Sequence, residues 1–137
     1  MQSYIDILRQ LNYELVKELG LFERRAGLSF SQRHILYHIK NEAGLSIQEL
    51  ADFLHVEHST MSRNIKKLVQ SGFADISQDE KDKRRKVILL TVRGAEKLEA
   101  ATQSINQTIL RATGILNEQE IESIIEGLRK YSAALRG

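Results

Sequence analysis

Six side chains in the middle of the chain have the types and spacing to read a nucleic-acid duplex: His58, Ser59, Ser62, Arg63, Lys66 and Lys67. On a helix whose buried stripe is Met61, Ile65, Leu68 and Val69, they fall on the opposite face. Arginine can fork onto guanine O6 and N7, serine can bond a base edge or a phosphate, and lysine supplies charge to the backbone. A basic helix face taken alone is more often a solvated surface, so its neighbours in sequence decide its meaning.

A second group is Asp82, Lys83, Arg84 and Arg85, within the run Asp79 to Lys86, which is too charged to pack. An arginine at the tip of such a loop suits a minor groove, whose negative potential attracts it. An acid two residues earlier can orient it by a charge-assisted bond, and Asp82 and Arg84 have that spacing. Read alone, the run is also a soluble turn. Ser31, Gln32 and Ser46, near the starts of two helices, are further candidates for contact with the DNA backbone.

Other chemistries find less support. His34 and His38 are four apart on one helix and His55 and His58 three apart, a spacing that metal sites use, with Glu18 or Glu23 conceivable as further ligands. Two ligands at helical spacing do not make a site and no thiolate exists to complete one, so no metal is expected. There is no Gly-rich phosphate loop, no G-x-S-x-G elbow and no H-E-x-x-H, and the chain is expected not to be an enzyme. Cysteine is absent, which excludes disulfides and thiol redox sensing.

Charge distribution favours the nucleic-acid reading. The whole chain of 137 residues carries a formal charge of only +2. Residues 57–93 hold nine basic and five acidic side chains, a net +4, between arms that are each net −1. A local basic surface is what DNA requires. No apolar run approaches the roughly 20 residues that cross a bilayer, and the first residues lack a signal-peptide pattern. A cytoplasmic protein with no membrane partner is the expectation.

The elements that must position these residues are legible in period and punctuation. Tyr4, Ile5, Leu8, Leu11, Leu15 and Leu19 recur at helical spacing, with Gly20 as a stop. Ser29 to Gln32 is an S-x-x-Q capping box before Ile35, Leu36 and Ile39. Ser46 to Glu49 is an S-x-x-E box opening a short helix, and after a turn at roughly residues 54–57 the basic helix begins, with Gly72 as its cap. Phe73 to Ser77 and Lys86 to Thr91 then read as two strands of a hairpin around the charged loop. From about Val92 the chain returns to two helices, the last with Ile121, Ile124, Ile125 and Leu128 along one face. The expected fold is mainly α with a small β-hairpin wing: a winged helix-turn-helix flanked by terminal dimerisation helices.

From Leu28 to Gly94 the sequence resembles the MarR-type regulators. The resemblance lies in Ser46-Ile47-Gln48-Glu49-Leu50-Ala51, Ser59-Thr60-Met61-Ser62-Arg63, Leu68-Val69-Gln70-Ser71-Gly72-Phe73, Asp82-Lys83-Arg84-Arg85 and Leu90-Thr91-Val92-Arg93-Gly94, taken in that order and spacing. It implies a homodimer whose first and last two helices intertwine, with two winged domains facing one palindromic operator. It also implies Arg63 as a recognition-helix contact, Asp82 and Arg84 as the wing pair, and a small aromatic or anionic effector bound between the dimerisation and DNA-binding parts. The expected segments are 1–27, a dimerisation helix; 28–94, the DNA-binding domain; and 95–137, dimerisation helices. Leu8, Leu11, Leu15, Ile125 and Leu128 should then be buried between chains.

Two functions follow from these readings. One is a sequence-specific, ligand-responsive transcription regulator, expected to be a repressor, acting on double-stranded DNA. The other is a winged-helix domain that binds protein, or regulates a fused enzyme, without reading DNA. The basic recognition helix and wing favour the first.

Overall fold

The computed structural model describes residues 2–137, so Met1, the first residue of the expected N-terminal segment, lies outside the described residues. The order is α1 (Tyr4–Glu18), α2 (Phe30–Asn41), α3 (Ile47–Leu54), α4 (His58–Gln70), β1 (Ala74–Gln78), β2 (Lys86–Leu90), α5 (Val92–Thr113) and α6 (Glu118–Arg136). The fold is mainly helical with one antiparallel hairpin, as the period changes in the sequence predict. The chain divides into two compact units, one ending at Ser104 and the other beginning at Ile105, so the boundary falls inside α5.

In the first unit the core is built from α2, α3, α4, the hairpin and the start of α5. Leu28, Ile35, Leu36, Leu50, Met61, Ile65, Leu68 and Ile88 are sealed from solvent, and Ala74, Leu98 and Ala101 join them. Helix starts are fixed by side chains that accept otherwise unpaired backbone N–H groups. The Ser29 hydroxyl accepts from Gln32 N–H while Gln32 Oε1 accepts from Ser29 N–H, completing the expected capping box. Ser46 accepts from Glu49 N–H in the same way, but Glu49 does not reach back; its carboxylate is engaged elsewhere.

The end of α4 explains a one-residue shift in the first strand. Gly72 has φ +79°, Gly72 N–H donates to Val69 O at 3.0 Å, and Phe73 N–H donates to Leu68 O at 2.9 Å. This Schellman closure takes Phe73, expected as the first strand residue, into the helix cap, so β1 begins at Ala74. Val69, expected to be buried with Met61, Ile65 and Leu68, is half-buried. The hairpin pairs Ala74 with Leu90 and Gln78 with Lys86, and Ile88 N–H donates to Leu45 O at 2.9 Å, seating β2 against the loop before α3.

α1 begins at a Ser3 cap, and no residue along it is buried. In the second unit α6 begins at a second full capping box, Asn117 with Glu120, and again no residue is buried. No helix among the described residues is long and apolar enough to cross a membrane.

Candidate nucleic-acid interface

The connection from α3 to α4 is the tight turn that a helix-turn-helix needs. His55 takes the left-handed conformation at φ +52°, and its N–H donates to Asp52 O while Val56 N–H donates to Ala51 O at 3.0 Å. Val56 packs on the core, so the turn is anchored on its apolar side. α4 then starts at His58, and its N-cap residue, Glu57, makes no side-chain cap bond, leaving the first N–H groups to solvent or a ligand.

Along α4, Met61, Ile65 and Leu68 face inward. His58, Ser59, Arg63, Lys66 and Lys67 are exposed, and Ser62 is half-buried at the edge of that face. The Arg63 guanidinium bonds only to Thr60 Oγ1, at 3.3 Å, and has no acidic partner among the described residues. A cation held by one weak contact on a rigid helix remains available to a base edge.

The wing loop has a definite internal structure. Asp79 Oδ1 accepts from Lys81 N–H at 3.0 Å, Arg85 N–H donates to Asp82 O at 2.9 Å, and Asp79 N–H donates to Arg85 O at 2.9 Å. At the tip, Asp82 Oδ1 accepts from both the backbone N–H of Arg84, at 3.1 Å, and its Nε, at 3.3 Å. The two residues predicted as a pair therefore meet, while the Arg84 side chain is 93% exposed. Lys83 is exposed beside it.

Arg85 differs from its wing neighbours. Its guanidinium is half-buried between Glu49, bonded to Nη2, and Asp79, bonded to Nη1 at 2.8 Å. These bonds, Glu49 foremost and then Asp79, raise its pKa further above the ordinary arginine range. The Lys81 N–H, followed by the Arg85 guanidinium, lowers that of Asp79. Arg85, expected among the DNA contacts, is engaged with Glu49 and Asp79 and also lines the open cleft beside α3 and α4. The sequence does not reveal the Glu49 partner, because an acid at the third position of a capped helix already has a sufficient local explanation.

The remaining candidates are distributed as follows. Ser46 and Gln32 are engaged as helix caps, and Ser31 is exposed in the first turn of α2. Ser46, Gln48, His58, Asp82, Arg84 and Lys86 line one open cleft of about 500 Å³, which brings the start of α3, the start of α4 and the wing tip to a common surface. His34 and His38 belong to an aromatic run: His34 lies 4.3 Å from Phe30 and His38 stacks on Phe53. Desolvation, then His38 and Arg33, lower the His34 pKa. No cluster of three or more metal-ligating side chains exists among the described residues.

A family model described as MarR family matches residues 26–85, which span the turn, α4 and the wing loop. HTH-type transcriptional regulator YwoH of Bacillus subtilis (strain 168) is 31% identical over 104 residues, covering 71% of this chain and 74% of that protein. The chain belongs to the MarR family. Solved MarR-type structures repeat the whole fold. A MepR mutant from S. aureus superposes with a TM-score of 0.76 at 24% identity, over 98% of this chain and 99% of that one. A second MepR mutant, bound to an oligodeoxyribonucleotide, gives 0.64 at 25% identity with the same coverage. This MarR-family chain thus has the DNA-binding winged-helix fold of a transcription regulator.

Proposed function

We propose that the protein is a sequence-specific, ligand-responsive repressor that binds a palindromic operator as a homodimer. In this reading α4 enters the major groove with Arg63 on a base edge, and Ser59, Ser62, His58, Lys66 and Lys67 around it. Arg84 enters the flanking minor groove, tethered by Asp82, with Lys83 on phosphate and Ser31, Gln32 and Ser46 near the backbone. The observation that carries the reading is the cleft on which α3, α4 and the wing tip converge, with Arg63 and Arg84 both projecting free of buried partners.

α1, α5 beyond the core and α6 serve as the dimerisation segments. Leu8, Leu11, Leu15, Ile125 and Leu128 are 42–51% exposed in the single chain, an exposure that a second copy would relieve. An anionic effector suits the first unit: Arg33 is 7% exposed and the Nε atoms of both Arg25 and Arg33 are buried without a hydrogen-bond partner. Their Nη atoms bond the carbonyls of Leu19, Gly20, Leu21 and Glu23, and among the described residues only Arg25 has an acid near it, Glu23 at 3.8 Å, so Arg33 is the buried charge that an anion would balance.

The test is Arg63→Ala against a cognate and a random duplex at one salt concentration. Loss of a forked guanine contact weakens cognate binding by roughly 1–3 kcal/mol and random binding by less. Equal losses on the two duplexes make Arg63 a phosphate contact and defeat its base-reading role.

A further inference from the structure

Glu49 lies in the first turn of α3 and bonds a guanidinium 36 residues further along the chain. That guanidinium, Arg85, stands where the wing loop rejoins β2, and its other arm holds Asp79, where the loop leaves β1. One planar cation therefore ties both ends of the loop to each other and to α3. The backbone bond from Ile88 N–H to Leu45 O and the bridge between Ser46 and Val87 hold β2 along its middle. The Arg85 fork holds it three residues further out, next to the tip that carries Arg84.

Stability does not explain this arrangement. The three side chains are 24–41% exposed, and ion pairs that solvent reaches contribute little. Two carboxylates on a surface meant for phosphates also oppose binding through their charge. What a forked guanidinium between two carboxylates provides is a fixed orientation. α3 shares its core with α4 through Leu50, Ala51, Met61 and Ile65, so a tie to α3 is a tie to the frame of the recognition helix.

We propose that Glu49 is a positioning residue for DNA recognition: through Arg85 and Asp79 it fixes the wing relative to α4, and so sets the offset between the minor-groove contact and the bases read by the helix. The proposal rests on the reading of Arg84 as a minor-groove contact. It assigns to Glu49 a role in binding although the residue itself touches no DNA, and it assigns Arg85 to the scaffold.

The experiment uses the full chain in two arms. The first records heteronuclear NOEs for residues 80–84 without DNA, in the parent and in Glu49→Gln, with melting temperature as control. The second measures affinity for one selected duplex, at matched salt, for the parent, Glu49→Gln, Arg84→Ala and the double variant. The expected results are lower loop NOEs in Glu49→Gln at a nearly unchanged melting temperature, and specific binding weaker by roughly threefold to tenfold, with little further loss once Arg84 is absent. Unchanged loop NOEs, tighter binding by Glu49→Gln, or equal weakening with and without Arg84 each overturn the positioning role. An Arg84→Ala protein that binds like the parent defeats the minor-groove reading instead, and the loop NOEs then decide the tie on their own. Glu49→Asp, which keeps the charge but shortens the reach, replaces Glu49→Gln if the latter melts early, and the same loss of loop order is expected.

Discussion

Arg84 projects almost wholly into solvent, yet two of its N–H groups converge on a single oxygen of Asp82. Simple electrostatics says that an acid at this position repels DNA, so its removal should tighten binding. The tether argues the reverse, because an unrestrained arginine loses up to about 2 kcal/mol of rotamer freedom when it is fixed, and a partner that limits that freedom beforehand reduces the loss. The expected outcome is that Asp82→Ala and Arg84→Ala each weaken specific binding, and that the double variant is no worse than Arg84→Ala alone. Arg84→Ala should also reduce the salt slope of binding by about one phosphate equivalent. Titrations across several salt concentrations read both effects; tighter binding by Asp82→Ala at low salt contradicts the tether. The Asp82 and Arg84 pair was legible because its two members are neighbours in sequence. The Glu49, Arg85 and Asp79 fork was not: its partners are distant in sequence, and each had a competing local reading as capping residue, DNA contact or turn residue.

Among the elements, the seat of α5 on the hairpin is held by one glycine. A methyl group on Gly94 would lie 2.0 Å from the carbonyl oxygen of Phe73 and 2.9 Å from a methyl of Leu90. The same junction is tightened by Thr91, whose hydroxyl donates to Gly72 O at 2.7 Å and accepts from Gly94 N–H at 2.9 Å. Alanine favours a helix over glycine by about 1 kcal/mol, but the clash is with backbone that closes the end of α4 and cannot step aside. Overpacking should win, and Gly94→Ala should destabilise the protein by roughly 1–3 kcal/mol in urea unfolding. A stabilised variant would mean that α5 does not sit this close to the hairpin. The sequence marked this element well: the change from strand period to helical period falls at Val92, where α5 begins. Caps at Ser29 and Ser46 and the turn after α3 were equally legible, since each depends on residues within one helical turn. The role of Gly94 was legible only as part of a motif, because the atom it avoids, Phe73 O, belongs to the far side of the hairpin.

For the whole molecule, the question is what covers the terminal helices. α1 carries Tyr4, Ile5, Leu8, Leu11 and Leu15 at 42–86% exposure, and α6 carries Ile124, Ile125, Leu128 and Leu135 at 45–71%. Single exposed leucines are ordinary, but an entire apolar stripe on each of two long helices is not. An obligate dimer interface commonly buries about 2,000 Å² or more, which helices of this length can supply. Sedimentation at micromolar concentration should therefore return twice the chain mass of 15.7 kDa, and a clean monomer would contradict the dimer.

Two-fold symmetry in the protein must then appear in the DNA it selects, with half-sites about 10 bp apart or a multiple of that distance. The most direct measurement is selection of bound duplexes from a random library by the full chain, with the recovered sequences read out. The expected result is an enriched inverted repeat with that spacing, and loss of the enrichment at the bases met by α4 when Arg63 is replaced by alanine. Recovery of no common sequence, or of a single unrepeated half-site, would contradict it.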